Sequence, residues 1–569
     1  MRFSIDRLSH NIQIKTYPLW RFLQLQIQIS SNRLFSLNTI LIFLAVAVFI
    51  FHITLDIENI NPRNISWLLQ GGDWSQHFLG WHFYRSTPWS FPLGNFTGLL
   101  YPINTSVGYT DSIPLLAIPL KIIAPWFDTF QYIGLWLYFC FSMQGIISFW
   151  IFKKLNLPYL SALIAAIILQ FTPMLMARLG HPALCAHWLF LLAFGIYINK
   201  KYSLKYIALN GFLVAIGAAI HPYIAIMAWA IFIAYSLRAQ KILTKICLIA
   251  IYTFILLLIW YIVGYIGDST SIIEPGLGNF SAHWTTWFNP LIKIDTSASL
   301  ILPNLELSDF RQYEGFAYLG LGTIIATVLS VILLLKNNTL HCNLINSNWP
   351  LVFIVTLFSV FSILQAPFFD SIKDTQGNLY RLFATFRANG RFVWPLTYLL
   401  IIGVLVLISK RFTPIIASLI LITVLFLNII DTVPLLYRSI PRPNILYSAN
   451  DSLVPRLTNA IQDNHTHLIF YPIEHPYERY FQADDYVPLA YAAGIENIAI
   501  NLGYLARFNR TVTEEFKNNI NDEVISGIIR DNYFYLIPQD AKDLVKKSLL
   551  RANSDEKLYK LNQDFWYIP

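Results

Sequence analysis

Residues 37–55 read LNTILIFLAVAVFIFHITL, and a short way on residues 71–85 read GGDWSQHFLGWHFYR. The first stretch carries no Asp, Glu, Lys or Arg and is long enough to cross a bilayer core, for which roughly 20 apolar residues suffice. The second opens on Gly71-Gly72-Asp73 and sets histidines among aromatic rings. An apolar span that hands over to a loop of this kind marks a membrane protein with its chemistry at the membrane edge.

The composition of the whole chain agrees. Of its 569 residues 56% are hydrophobic and 13% charged, where a soluble domain carries about 25% charged residues. The 16 Trp, 31 Tyr and 42 Phe fit bilayer interfaces, where aromatic rings collect. A net charge of +8 raises nucleic acid as a partner, but the basic residues are spread over short loops and form no patch. Cys140, Cys185, Cys247 and Cys342 show no ligand spacing, so neither a zinc site nor a disulfide framework is expected, and no metal ligands are assigned. The N-terminal residues do not read as a cleavable signal.

Reading for spans gives about eleven transmembrane helices. They lie near 37–55, 132–152, 158–176, 184–198, 206–220, 223–237, 246–266, 316–335, 349–364, 394–409 and 414–430. Charge then orients them. Lys153 and Lys154, Lys200, Lys201 and Lys205, Arg238, Lys241 and Lys245, Lys336, and Lys410 with Arg411 follow alternate spans, as short cytoplasmic loops should. Up to Ile430, every acid except Asp6 falls in the opposite set of loops. The expected layout is a cytoplasmic segment 1–36, a transmembrane region 37–436 with long outer loops 56–130, 267–315 and 366–393, and an extracytoplasmic tail 437–569. The tail has soluble composition and reads as a small α/β domain. The placement expected from this is a bacterial inner membrane, with the N-terminus inside and the C-terminal domain outside.

The outer loops carry the candidate chemistry. A helix starting near Gly71 places Asp73 and His77 one turn apart on one face. Two roles fit: Asp73 caps the helix beside a buried, hydrogen-bonded His77, or Asp73 is a general base aided by His77 or Asp111. Beyond Asp111, residues 113–127 form an apolar stretch around Lys121, broken by prolines, which suits a helix lying along the interface. Arg178 and His181 close the third span, and His221 sits at the turn between the fifth and sixth. Ionisable groups at a membrane boundary are functional suspects, since they are costly there. The loop around His283 and Tyr313-Glu314 is aromatic-rich, which suits sugar stacking or interfacial anchoring. Arg381, Arg387 and Arg391 in the third loop suit bidentate contact with phosphate or with lipid headgroups.

This layout resembles the GT-C superfamily of membrane glycosyltransferases: many spans, a long first outer loop with an acid soon after the first helix, an interfacial helix and an outer C-terminal domain. The segments Gly71-Gly72-Asp73, Phe83-Tyr84-Arg85, Phe91-Pro92-Leu93-Gly94, Thr110-Asp111-Ser112-Ile113-Pro114 and Gly390-Arg391-Phe392-Val393-Trp394-Pro395 are similar to a bacterial membrane-protein family, the domain of unknown function DUF6311. The first loop lacks the tight Asp-x-Asp pair of better-known GT-C enzymes. The resemblance implies transfer of a sugar from a polyprenyl-phosphate donor to a cell-envelope glycan, lipid or protein acceptor. It implies Asp73, His77 and Asp111 as catalytic candidates, with Arg85, Arg178, His181, His221, Arg387 and Arg391 as substrate or phosphate ligands. Membrane lipids are partners, nucleic acid is not, and a divalent cation is left open. A flippase or a non-catalytic component of polysaccharide assembly would share the layout, but a transporter should place ionisable groups deep within its spans.

Overall fold

The structure is a computed structural model that describes residues 36–198, 203–266, 276–293, 296–336, 339–375, 377–438, 453–473, 486–505, 509–551 and 557–569. The cytoplasmic segment expected at 1–36 lies almost wholly outside these residues, as does the start of the tail, 439–452.

Every apolar run read from the sequence forms helix, but not every helix is a span. Among the described residues six helices are long and apolar enough to cross a membrane: Leu37–Leu55, Ile133–Lys154, Tyr159–Met176, Ile242–Val263, Asn389–Arg411 and Pro414–Asp431. A seventh arises if Asn348–Ile363 and Ala366–Lys373, bent by 90°, are one span. The remaining runs give shorter apolar helices, Pro182–Ile198, Leu204–Ile220, Pro222–Ser236 and Leu321–Leu335. Of the roughly eleven expected spans, six or seven meet this length among the described residues, and the others form shorter apolar helices. The reason is local: Pro182 and Pro222 start new helices at N1 or N2, where a missing N–H costs nothing. Gly320, at φ 83°, delays the helix that Phe316 was expected to begin.

Helix Ile133–Lys154 is central, packing on Leu37–Leu55, Tyr159–Gln170 and Trp188–Ile198. The outward faces of the flanking helices are bare of polar cover, with Leu41, Phe49, Phe254 and Phe426 exposed, as lipid-facing helices are.

The C-terminal residues build a five-stranded mixed sheet in the order β6-β5-β7-β9-β8. Its strands are β5 (His467–Phe470), β6 (Ala499–Ile500), β7 (Tyr533–Pro538), β8 (Tyr559–Lys560) and β9 (Phe565–Ile568); β1–β4 are two-residue and three-residue ribbons at 95–106 and 291–297. Strand β5 runs parallel to β6 and β7, and β7 antiparallel to β9. Alternate residues serve opposite faces, as strand geometry requires. Ile469, Tyr535 and Ile537 pack on Ile520, Val524 and Val545 in one cluster, while Leu468, Phe470, Phe534 and Leu536 join the main core.

This sheet grips the first loop. Ile500 N–H donates to the Gly98 carbonyl at 2.7 Å and Tyr101 N–H to the Ile500 carbonyl at 2.7 Å. Helix Tyr486–Ile495 lies on helix Gly72–Ser86, with the Tyr491 and His82 rings 5.3 Å apart.

Candidate active site

The site grows from the start of helix Gly72–Ser86. Gly71 and Gly72 have φ of 92° and 63°, a left-handed backbone that glycine adopts without a steric penalty. Gly71 is the N-cap, and its N–H donates to Ser75 Oγ at 2.7 Å. Asp73 is thus not the cap that the sequence allows. It stands in the first turn, with its carboxylate against His181.

The loop carrying Asp111 is clamped onto this helix. A Cβ on Gly80 would lie 2.0 Å from Thr110 Oγ1 and 2.6 Å from Ser112 Oγ, so only glycine admits the approach. Ser112 Oγ donates to the His77 carbonyl at 2.7 Å, and Gln76 Nε2 to the Tyr109 carbonyl at 3.2 Å. Asp111 and the β-branched Ile113 both have positive φ, 56° and 51°. Backbone strain of this kind costs about 1–3 kcal/mol per residue and persists where surrounding contacts over-determine it.

Five candidates come together here. Asp73 Oδ2 is 2.8 Å from His181 Nε2, and Asp111 Oδ1 is 3.4 Å from His221 Nε2. His77 is fully buried, with Nδ1 hydrogen-bonded to the Asp111 carbonyl. Its ring meets that of His181 edge-on at 6.2 Å. The partner of Asp73 is therefore His181 rather than His77, which the one-turn spacing had favoured. Ligand atoms of His77, Asp111 and His181 lie within 4.8 Å of one another, a grouping to which the sequence assigned no metal role.

The protonation balance follows from these contacts. Burial alone would push the Asp73 carboxyl up, but the attraction and hydrogen bond of His181 outweigh it and its pKa falls below the usual 3.8. Burial disfavours charge on His181 as well, and Asp73 reverses that, raising its pKa above 6.5. His77 has no such compensation: burial pulls it down to about 4, so it is neutral at pH 7. Burial would raise Asp111, yet its hydrogen bond to His221 and the nearby imidazoles hold it well below the carboxylate range.

Beside the cluster sits a second knot that the sequence did not reveal. Glu314 Oε2 accepts from Arg178 Nη1 at 2.8 Å and from Arg391 Nε at 2.9 Å. Arg178 Nη2 also donates to the carbonyls of Tyr313 and Glu314, at 2.8 and 3.1 Å. Burial would raise Glu314, and the two guanidiniums drive its pKa far below the usual 4.5. Two of the arginines expected to reach substrate or phosphate, Arg178 and Arg391, are thus engaged by a carboxylate. Arg178 Nε remains buried without a partner.

A cavity of about 210 Å³ opens between cluster and knot, lined by Asp73, Trp74, Arg178, His181, Lys293 and Tyr313 among others. Asp73 keeps 36% of its side chain exposed to it. Tyr504, from the C-terminal sheet region, senses the charges of Asp73, Arg387 and Asp111, and burial chiefly pushes its hydroxyl up to about 12. Lys293 and Tyr504 carried no sequence signal beyond residue type, and Glu314 was marked only by its aromatic-rich loop.

Two candidates lie elsewhere. Arg85 donates to the carbonyls of Asp128, Ala124 and Phe127 at 3.0, 2.8 and 2.6 Å and stacks over Phe130 at 5.1 Å. It fastens the loop after the Pro114–Ile123 helix and is not in the cavity. Arg387 lies over the Phe280 ring at 5.3 Å, and its charge reaches Tyr504 and Tyr223.

These features define a class: a helical protein with spans apolar enough for a bilayer and a buried histidine–carboxylate cluster where its loops converge. The chain belongs to the family described as Domain of unknown function (DUF6311), whose model matches residues 43–433; residues 456–568 match the DUF6311 C-terminal domain. Solved structures similar to it include the Archaeoglobus fulgidus oligosaccharyltransferase tethered to an acceptor peptide, at 11% identity and TM-score 0.43, covering 93% of this chain and 73% of that one. Another is the oligosaccharyltransferase AglB of Archaeoglobus fulgidus with an inhibitory peptide and a dolichol-phosphate, at 10% identity and TM-score 0.43, covering 93% and 74%. Among curated proteins none matches the chain.

Proposed function

We propose that this protein is a membrane glycosyltransferase that moves a sugar from a polyprenyl-phosphate donor to a cell-envelope acceptor on the outer face of the inner membrane. The observation that carries this is the Asp73 carboxylate, kept ionised by His181 and open to a cavity that also holds Lys293 and Arg178. In the transfer, the acceptor oxygen forms a bond to the anomeric carbon while the bond from that carbon to the phosphate oxygen breaks. The electron pair leaves with the phosphate, and the acceptor proton passes to Asp73. A carboxylate of lowered pKa is a modest base, which suits a late proton transfer, when the acceptor oxygen has already become acidic through bonding. Base assistance of this sort contributes about 10²–10⁴-fold.

The phosphate needs positive charge rather than a strong acid. Lys293 supplies one cation, and the knot of two arginines against one carboxylate keeps a positive surplus. The unpartnered Arg178 Nε–H offers a donor to a phosphate oxygen. His221 and His77 keep the Asp111 loop in place beside this centre. The inside-positive pattern of the short loops favours a cytoplasmic N-terminus and an outer site.

The test is a profile of lipid-linked sugars and envelope glycans in a strain lacking the gene, complemented with wild-type protein or with Asp73→Asn. Loss of one glycan with build-up of its lipid-linked precursor is expected, restored by wild type alone. Full restoration by Asp73→Asn at equal protein level would remove Asp73 as the base, and an unchanged profile on deletion would remove the transferase assignment.

A further inference from the structure

We propose that His77, Asp111 and His181 form a binding site for a zinc-class divalent cation, with His221 and Asp73 orienting two of the ligands. Their ligand atoms lie within 4.8 Å of one another, a spread that small side-chain rotations close onto one ion.

The hydrogen bonds select the tautomers that a metal requires. His77 Nδ1 faces the Asp111 carbonyl. A carbonyl only accepts, so Nδ1 carries the proton and the neutral ring presents its lone pair at Nε2. That Nε2 is buried with no partner, in a residue with 0% exposure. A buried lone pair left without a donor is costly, and a cation relieves it. A metal-bound histidine typically donates its other N–H to a carbonyl or carboxylate, which fixes ring and tautomer; His77 already does so.

His221 shows the complementary pattern. Its Nδ1 accepts from Tyr223 N–H at 3.2 Å, so Nε2 carries the proton and can donate to Asp111 Oδ1 at 3.4 Å. It is thereby an outer partner of a carboxylate ligand, not a ligand itself. Asp73 does the same for His181, accepting at 2.8 Å.

Donor chemistry decides the ion. Two imidazoles and one carboxylate suit zinc and its neighbours, whereas magnesium and calcium prefer all-oxygen sets. Of the three ligands His181 lines the cavity, and a set of three protein ligands leaves zinc a fourth position for water or substrate. Asp73 and Asp111 together provide the negative charge that a dication balances.

The test uses full-length protein purified in detergent, stripped with a chelator, then titrated with Zn²⁺ or Co²⁺. We expect about one zinc per chain, and visible ligand-field bands of low-coordinate cobalt that His77→Gln abolishes. His221→Gln and Asp73→Asn should weaken binding by about 10–100-fold, the usual effect of losing an outer partner. His283→Gln, outside the cluster, should bind as wild type does. If His77→Gln does not fold, Asp111→Asn and the cobalt spectrum of the wild type decide the matter. No metal above the dialysis buffer in wild type, or wild-type affinity in His77→Gln, would overturn the site. Metal binding is scored without any sugar transfer, so this outcome and the glycan profile fail independently.

Discussion

Two charged regions meet at the cavity, and they are built to opposite ends. In the knot, Glu314 faces Arg178 and Arg391 at 2.8 and 2.9 Å, with side chains 4–10% exposed. Arg178 Nη1 and Nη2 and Arg391 Nε each have an acceptor there, while Arg178 Nε is buried without one. In the cluster, Asp73 and Asp111 face three imidazoles, yet His77 keeps an unpartnered nitrogen and Asp73 stays open to the cavity. A saturated network holds shape, while an unsaturated one has bonding capacity left for something else. The two regions thus differ in what they leave open: one guanidinium N–H in the knot, and an imidazole lone pair with a part-exposed carboxylate in the cluster.

If this division is right, a substitution in the cluster should cost activity and spare the fold. Asp73→Asn keeps shape and volume and removes the ionised acceptor, so transfer should fall by about 10²–10⁴-fold. Thermal denaturation of the purified protein should move little, because one-third of the side chain is already open. A collapse of the melting transition with Asp73→Asn would make the cluster a structural element too, and the contrast would vanish.

The knot should respond the other way. Glu314→Gln leaves two guanidiniums buried against each other, and breaking a buried pair by removing one partner costs about 3–5 kcal/mol. Loss of folded protein is the expected result, read by detergent melting and by membrane yield. A double substitution, Glu314→Gln with Arg391→Met, should recover part of that loss by removing one of the stranded charges. Glu314→Gln that folded normally and only lost transfer would place the knot on the chemical side.

How much of this was legible beforehand follows from the range over which each contact is made. Helix Leu37–Leu55 was readable to the residue, because an apolar run declares itself locally. Asp73 and His77 one turn apart were readable from helical spacing, and the charge pattern had grouped Asp111, His181 and His221, which the structure brings together. Pairing was not readable: Glu314 meets Arg178 across 136 positions and Arg391 across 77, and nothing local marks such partners. The choice of His181 over His77 for Asp73 likewise depends on the turn after Met176, which no period encodes. Helix lengths were not readable either, because hydropathy registers apolar residues but not where Pro182 and Pro222 restart the helix.

Arg85 is a smaller test of the same contrast. The motif suggested a ligand, and the structure shows three carbonyls at 2.6–3.0 Å holding it. Arg85→Ala should cost about 1.5–3 kcal/mol, the scale of hydrogen bonds to a charged donor, and leave transfer per folded molecule unchanged. A drop in transfer without a drop in melting temperature would return Arg85 to the substrate path.

The least effect should come from Lys121, the cation that the first loop keeps between the Tyr84 and Trp89 rings at 4.0 and 4.8 Å. Burial lowers its pKa from 10.5 to about 8, and the acceptors of its ammonium, Thr87 Oγ1 and the Pro88 carbonyl, are each 3.4 Å away. Between those two pH values the unfolded chain binds the proton and the folded chain releases it, so stability rises with pH across that window. Below about pH 8 both states are protonated and the dependence from this residue disappears. Melting temperature should therefore climb modestly from pH 8 towards 10, and Lys121→Met should flatten the climb while raising the baseline. A cation that behaves in this way is scaffolding, held by its surroundings at some cost, whereas His77 Nε2 in the His77–Asp111–His181 group has bonding capacity left to use. If Lys121→Met instead abolished transfer with the melting curve unmoved, the working surface would extend along the Pro114–Ile123 helix, well beyond the cavity at Asp73.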